Sequence, residues 1–454
     1  MRSSILVVPA LLSAFAGIAA AEPAVAPNEV LGVPAFSIPT KNKNLAAVPV
    51  DKRLAKRLYS STDVEDPTRS FVYHGQIKVG NPTQNFSVLF DTGSYQLWLR
   101  STDCTSSFCT GQPQYDPSKS SSAVRTGEKA PDITYVDGTS VSGNYVTDKV
   151  SIGLLSIDNL TINAVSSMNG ESVEDGIMGM CNPAPKEPAN FFQSLQKKGI
   201  MTSDVMGYYI DQTNVDGEVD FGGINAARFK GNLTWLPSLG YGAGDKAPYI
   251  FFQSKQTGMG FKGTQAFFNL NMVSVFDTGA SLMVLPPDLA LNLSKALTMT
   301  KVTTSPSDYD MYEALCPNGI INTWPNMTLA FGDVELQLTP KEYLYLVQRN
   351  SDGAIVCRSG WIGMRADQSS GTNPSAPGAI LGNTFLRRFY SVFDWNQQRV
   401  GFAVAERGLD IIPNYVAVPG NRTSGTGEGN GAADGTGGKW LSLVVAIGVG
   451  LWFL

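Results

Sequence analysis

Short apolar runs broken by polar residues dominate the middle of this chain. Residues 71–79, 86–90, 132–135, 145–152, 205–210, 218–221 and 399–404 are rich in Val, Ile, Phe, Tyr and Thr. Gly, Asp, Asn and Pro separate them. Runs of that length with that punctuation predict β-strands. Helical patterning is confined to stretches such as 189–198 and 287–297. The expected class is all-β with a few short helices.

Both ends depart from this pattern. Behind Arg2, an apolar run from Ile5 to Ile18 leads to Ala19-Ala20-Ala21. It reads as a secretory signal ending at residue 21, because the run is too short to span a bilayer. Residues 22–57 are Pro- and Ala-rich, then basic, with the pairs Lys52-Arg53 and Lys56-Arg57. They read as a pro-segment removed by a dibasic-specific protease, its charge set against the acidic remainder. The alternative is a basic arm with no inhibitory role. Residues 417–438 are rich in Gly, Thr and Asn, and an uncharged apolar run closes the chain. Small residues at Asn430-Gly431-Ala432, a polar spacer and an apolar end match a glycolipid (GPI) anchor signal, with Asn430 as candidate attachment point. A single-pass helix is the alternative. Six sequons, at Asn85, Asn159, Asn232, Asn292, Asn326 and Asn421, suit an exported chain and are candidate glycosylation sites.

Composition narrows the chemistry. The chain has 454 residues and a net charge of −5, so the basic surface of a nucleic-acid binder is missing. One histidine, His74, leaves no choice of residue for a His-dependent triad, and its place in an early strand reads as a surface position. Five cysteines without a CxxC or Cys/His cluster argue against zinc and suggest two disulfides with Cys181 left over as a buried thiol. No metal or cofactor is called for.

The positive signal is a repeat. Residues 88–94 read Val-Leu-Phe-Asp-Thr-Gly-Ser and residues 274–280 read Ser-Val-Phe-Asp-Thr-Gly-Ala. Each is followed by an apolar-Gly segment, Asp175-Gly176-Ile177-Met178-Gly179 and Ala379-Ile380-Leu381-Gly382-Asn383. Glycine at those points admits a second backbone, and the apolar neighbours support the turn. Two such units can meet about a pseudo-twofold axis and bring Asp91 against Asp277. Carboxylates that close share one proton, the requirement for activating water.

On these motifs the chain resembles the pepsin-like aspartic proteases, and more narrowly the fungal, glycolipid-anchored, yapsin-like members, over roughly residues 70–415. The resemblance implies a bilobal fold with pseudo-twofold related lobes. It divides the chain into a signal (1–21), a pro-segment (22–57), an N-terminal lobe with a flap (58–240), a C-terminal lobe (241–416), a linker (417–438) and an anchor-signal tail (439–454). It implies Asp91 and Asp277 as the catalytic pair and Thr92 and Thr278 as crossed supports. Gly93 and Gly279 become backbone donors near substrate, Tyr135 the flap tyrosine over substrate, and Trp98 and Ser94 further supports. Tyr249 is a cleft-wall candidate. Cys104–Cys109 and Cys316–Cys357 would be the disulfides.

Two departures stand out. A further disulfide often found just before the second motif is missing, and Ala280 stands where a hydroxyl residue is usual. Ser94 can donate to Asp91, whereas Ala280 cannot donate to Asp277. That loss would raise the upper apparent pKa of the pair, and Ala280→Thr would lower it again. Plain drift at residue 280 is the other reading. The expected protein is a monomeric acid endopeptidase acting on peptides and proteins, exported and anchored to the plasma membrane or cell wall. A surface binding protein on an inactive protease scaffold is the rival.

Overall fold

The computed structural model describes residues 36–41, 73–135, 138–170, 175–183, 187–201, 203–210, 216–240, 251–302, 309–316, 323–348, 354–364, 378–406 and 415–416. The signal, the dibasic pairs, Tyr249, Asn421, Asn430 and the apolar tail lie outside the described residues. Within them the fold is β throughout, and the longest described helices are only Phe191–Lys197 and Pro287–Ala296.

The sequence pattern located the strands and misjudged their ends. Val205–Ile210 is a strand over its predicted span, and Arg399–Ala405 is one residue longer than predicted. The hairpin strand shrinks to Ile133–Thr134, because only these two residues pair, with Val141 and Ser140. Its partner grows to Ser140–Ile152, since it runs antiparallel to Leu155–Asn169 along most of its length.

The internal repeat is built in three dimensions. Gln84–Asp91 runs parallel to Gly176–Gly179, with Asp91 opposite Gly179. Phe267–Phe276 runs parallel to Ala379–Leu381, with Phe276 opposite Leu381. The strand after each turn, Leu97–Arg100 or Met283–Leu285, returns antiparallel to the same apolar-Gly strand. Each then lies parallel to a further strand, Trp98 beside Asn163 and Met283 beside Trp361. The glycines have a steric reason. A methyl on Gly179 would lie 2.5 Å from the Gln96 amide nitrogen, and one on Gly382 2.5 Å from the Leu282 carbonyl.

A seam joins the halves. Val205–Ile210 pairs with Phe389–Asp394, so strands of the C-terminal half continue the sheet of the N-terminal half. The phenylalanines just before each Asp-Thr-Gly are fully buried against this seam. Phe90 meets Phe221 edge-on at 6.1 Å, and Phe276 lies 4.9 Å from Phe402. Burying one such ring contributes about 2 kcal/mol, which fixes the base of each turn.

Two features differ from the sequence reading. His74 is buried, 4% exposed, rather than at the surface, because its strand is flanked by Gln84–Asp91 on one side and meets Lys41 on the other. Residues 36–41, inside the expected pro-segment, form the strand Phe36–Lys41 in the seam sheet, paired along its length with Asp216–Phe221.

Candidate active site

Each Asp-Thr-Gly turn begins at the end of a buried strand: Asp91 closes Gln84–Asp91, still opposite Gly179, and Asp277 follows Phe276, the last residue of Phe267–Phe276. Asp91 and Asp277 are both fully buried. Gly93 N–H donates to Asp91 Oδ1 at 2.7 Å and Gly279 N–H to Asp277 Oδ1 at 2.8 Å. The side chains converge so closely that a methyl on Gly279 would collide with the Asp91 carboxylate while lying 3.2 Å from Asp277 Oδ1.

Thr92 and Thr278 hold the turns together from opposite sides. The Thr92 amide donates to Thr278 Oγ1 and the Thr278 amide to Thr92 Oγ1, both at 3.0 Å. Thr92 Oγ1 donates onward to the Phe276 carbonyl at 2.9 Å, and Thr278 Oγ1 to the Phe90 carbonyl at 2.7 Å. Four buried hydrogen bonds related by a twofold thus cross the seam beneath the carboxylates.

The symmetry ends there. Ser94 Oγ makes a short hydrogen bond to Asp91 Oδ2. Ala280, fully buried in an apolar cluster with Leu282, Val284 and Ile380, offers Asp277 only its amide. Burial pushes the Asp277 carboxyl well above the ordinary carboxylate range. The Asp91 charge and a hydrogen bond with Asp91 push the same way, against the Gly279 and Ala280 amides. The pair as a whole therefore resists carrying two negative charges at once.

Tyr135 sits at the end of the hairpin, 3% exposed, and accepts a hydrogen bond from Trp98 Nε1 at 2.5 Å. Its amide donates to the Thr139 carbonyl at 2.8 Å, closing a turn in which Gly138 has φ +85°. Tyr135, Trp98, Tyr95 and Phe251 share one apolar cluster with Cys181. The Cys181 thiol is free, fully buried and pushed up by burial and by both carboxylates, which leaves it unreactive. Cys104–Cys109 and Cys316–Cys357 are disulfides. Asn85, Asn159, Asn232, Asn292 and Asn326 are exposed.

Sequence reasoning missed the side chains that brace these turns. Asn163 Nδ2 donates to Gln96 Oε1 at 3.2 Å behind the first turn. Behind the second, Asn383 reaches the Thr278 carbonyl and Tyr208 reaches Asn383. Asn383 was visible as the end of the repeated segment. Tyr208 gave no signal, since it lies 175 residues away. Among the described residues, no three His, Cys, Asp or Glu side chains gather as metal ligands would.

Comparison with known proteins agrees with this geometry. The family profile "Eukaryotic aspartyl protease" matches residues 72–405. Cathepsin E of Rattus norvegicus is 30% identical over 365 residues, covering 78% of this chain and 84% of the relative. Cathepsin E-A of Xenopus laevis is 30% identical over 373 residues, covering 78% and 82%. Gastricsin of Homo sapiens is 31% identical over 346 residues, covering 73% and 81%. With a profile spanning nearly the whole β body, including both Asp-Thr-Gly turns, the chain belongs to the eukaryotic aspartyl protease family, the pepsin-like aspartic endopeptidases.

Proposed function

We propose that Asp91 and Asp277 hold one proton between them and use it to add water across a peptide bond in acid. Two carboxylates meeting on a frame of crossed threonine hydrogen bonds carry this reading. Charge on both at such range is prohibitive, so one proton stays. Asp91, with donors from Gly93 and Ser94, is the better anion and takes a proton from water. Asp277, with its raised pKa, protonates the carbonyl oxygen as the water oxygen bonds to carbon. The tetrahedral intermediate collapses as Asp91 passes the proton taken from water to nitrogen, the C–N bond breaks, and a hydroxyl of the intermediate returns its proton to Asp277.

Peptide lies under the Tyr135 hairpin, with Gly93 and Gly279 at its floor. Trp98 holds Tyr135 down, which excludes bulk water and strengthens the electrostatics beneath. The sequence supports a fuller setting: an exported zymogen of the fungal, yapsin-like kind, monomeric, glycosylated and tethered by a glycolipid to the outer face of the plasma membrane or wall. Exposure of five sequons and the signal-like ends support it. Removal of residues 22–57 by a dibasic-specific protease would also remove the strand Phe36–Lys41, so maturation must re-cover Asp216–Phe221 or leave its edge open.

The test is cleavage of a peptide library at roughly pH 3–6 by the mature, tail-deleted protein, with and without pepstatin. Asp91→Asn and Asp277→Asn should each lower kcat by about 10⁴-fold or more. Full-rate cleavage by either variant would refute the assignment.

A further inference from the structure

We propose that Asn383, oriented by Tyr208, is a positioning residue that aims the Gly279 amide at Asp277, a role that rests on reading Asp277 as half of the reacting pair. Asn383 is fully buried and opens the short helix Asn383–Leu386. Its Nδ2 donates to the Thr278 carbonyl at 3.0 Å, and its own amide donates to the Ala280 carbonyl at 2.7 Å. The next residue, Thr384, donates from its amide to the Ser281 carbonyl at 2.9 Å and from Oγ1 to the same carbonyl at 3.1 Å. Residues 383 and 384 therefore grip the carbonyls at 278, 280 and 281.

The grip on Thr278 matters most. Its carbonyl and the Gly279 N–H belong to one planar peptide unit. Fixing the oxygen on one edge fixes the direction of the N–H on the other, which donates to Asp277 Oδ1 at 2.8 Å. A carbonyl that accepts a hydrogen bond also leaves its own N–H a better donor. The Asn383 amide has two faces, and only one puts nitrogen toward Thr278. Tyr208 selects that face, since its hydroxyl donates to Asn383 Oδ1 at 2.9 Å. Tyr208 is fully buried in Val205–Ile210, the seam strand, so the aim of the second turn is set from the opposite half of the molecule.

The experiment compares Tyr208→Phe and Asn383→Leu with Tyr390→Phe in the full chain. Tyr390 is also fully buried in the seam sheet, where its hydroxyl donates to Asp220, and serves as a control for losing a buried phenol. Hydrogen exchange of the peptide spanning residues 277–283 reads the clamp without reference to activity. It should rise about tenfold in Tyr208→Phe and more in Asn383→Leu, and stay unchanged in Tyr390→Phe. On peptide substrate, Tyr208→Phe should lower kcat about tenfold with KM within about twofold. Its alkaline pH limb should move up by about half a unit, because a weaker Gly279 donor favours the protonated pair. Unchanged exchange in Tyr208→Phe, or an equal rise in Tyr390→Phe, would overturn the clamp. An inactive wild-type protein would instead overturn the catalytic reading, and exchange would still decide the clamp.

Discussion

In the N-terminal half, main-chain donors hold the turn at Asp91. Gly179, Met180 and Cys181 donate to the carbonyls of Gln96, Asp91 and Ser94, and the Ser94 hydroxyl donates to the Asp91 side chain. In the C-terminal half, main-chain amides of Asn383 and Thr384 likewise hold the Ala280 and Ser281 carbonyls, but the Asn383 side chain is added on the Thr278 carbonyl and an alanine methyl packs where the serine hydroxyl would be. The frame is symmetric and the finish is not. Both carboxyls take a main-chain donor from the glycine two residues on, but Asp91 adds a hydroxyl donor from Ser94 where Asp277 has only the Ala280 amide. A twofold fold thus gives two identical tripeptides two different hydrogen-bonding environments.

Removing the space between the carboxyls should break the comparison outright. Gly279→Ala drives a methyl into the Asp91 carboxylate. Steady-state kinetics should show kcat down by about 10³-fold or more, since displacement of a reacting group by an ångström is that costly. An active Gly279→Ala enzyme would mean that the two side chains need not meet.

A smaller effect comes from the crossed bonds. Thr92→Val and Thr278→Val each delete a hydroxyl that accepts one seam hydrogen bond and donates another. Each should lower stability by about 2–4 kcal/mol in denaturant titration. The double variant should lose less than the two losses combined, because the residues share partners. Full additivity would show that the halves are not coupled through these threonines.

The smallest effect tests the asymmetry itself. Ser94→Ala removes a donor that favours the Asp91 anion, so the upper apparent pKa of the pair rises and the alkaline limb of the kcat/KM profile moves up. Ala280→Ser adds a donor beside Asp277, so the limb moves down. Both shifts should be about half a pH unit. Serine is the gentler replacement than threonine, because Ala280 is packed among Leu282, Val284 and Ile380. An unmoved limb in Ala280→Ser would assign that alanine to packing alone.

Much of this was legible in the sequence, for a physical reason. A carboxylate turn needs Asp-Thr-Gly locally, and an approaching backbone needs glycine, so residues 91–94, 277–280, 179 and 382 advertise themselves. Strand lengths were less legible, because pairing extent depends on the neighbour: Ser140–Ile152 is long only because Leu155–Asn169 lies beside it. The burial of His74 and the strand at residues 36–41 were hidden for the same reason, since sheet order is not a local property. Tyr208 was invisible because a tyrosine in an apolar strand looks the same whether its hydroxyl meets solvent or a buried amide.

The threonine exchange across the seam also limits how this molecule can be divided. A fragment ending at residue 240 would keep Thr92 but lose both groups its amide and hydroxyl bond, and the complementary fragment would strand Thr278 in the same way. Neither piece holds a finished loop of its own. Reactivity would return only on re-association, so the working unit is the joined pair of fragments, whatever the number of chains that supply them.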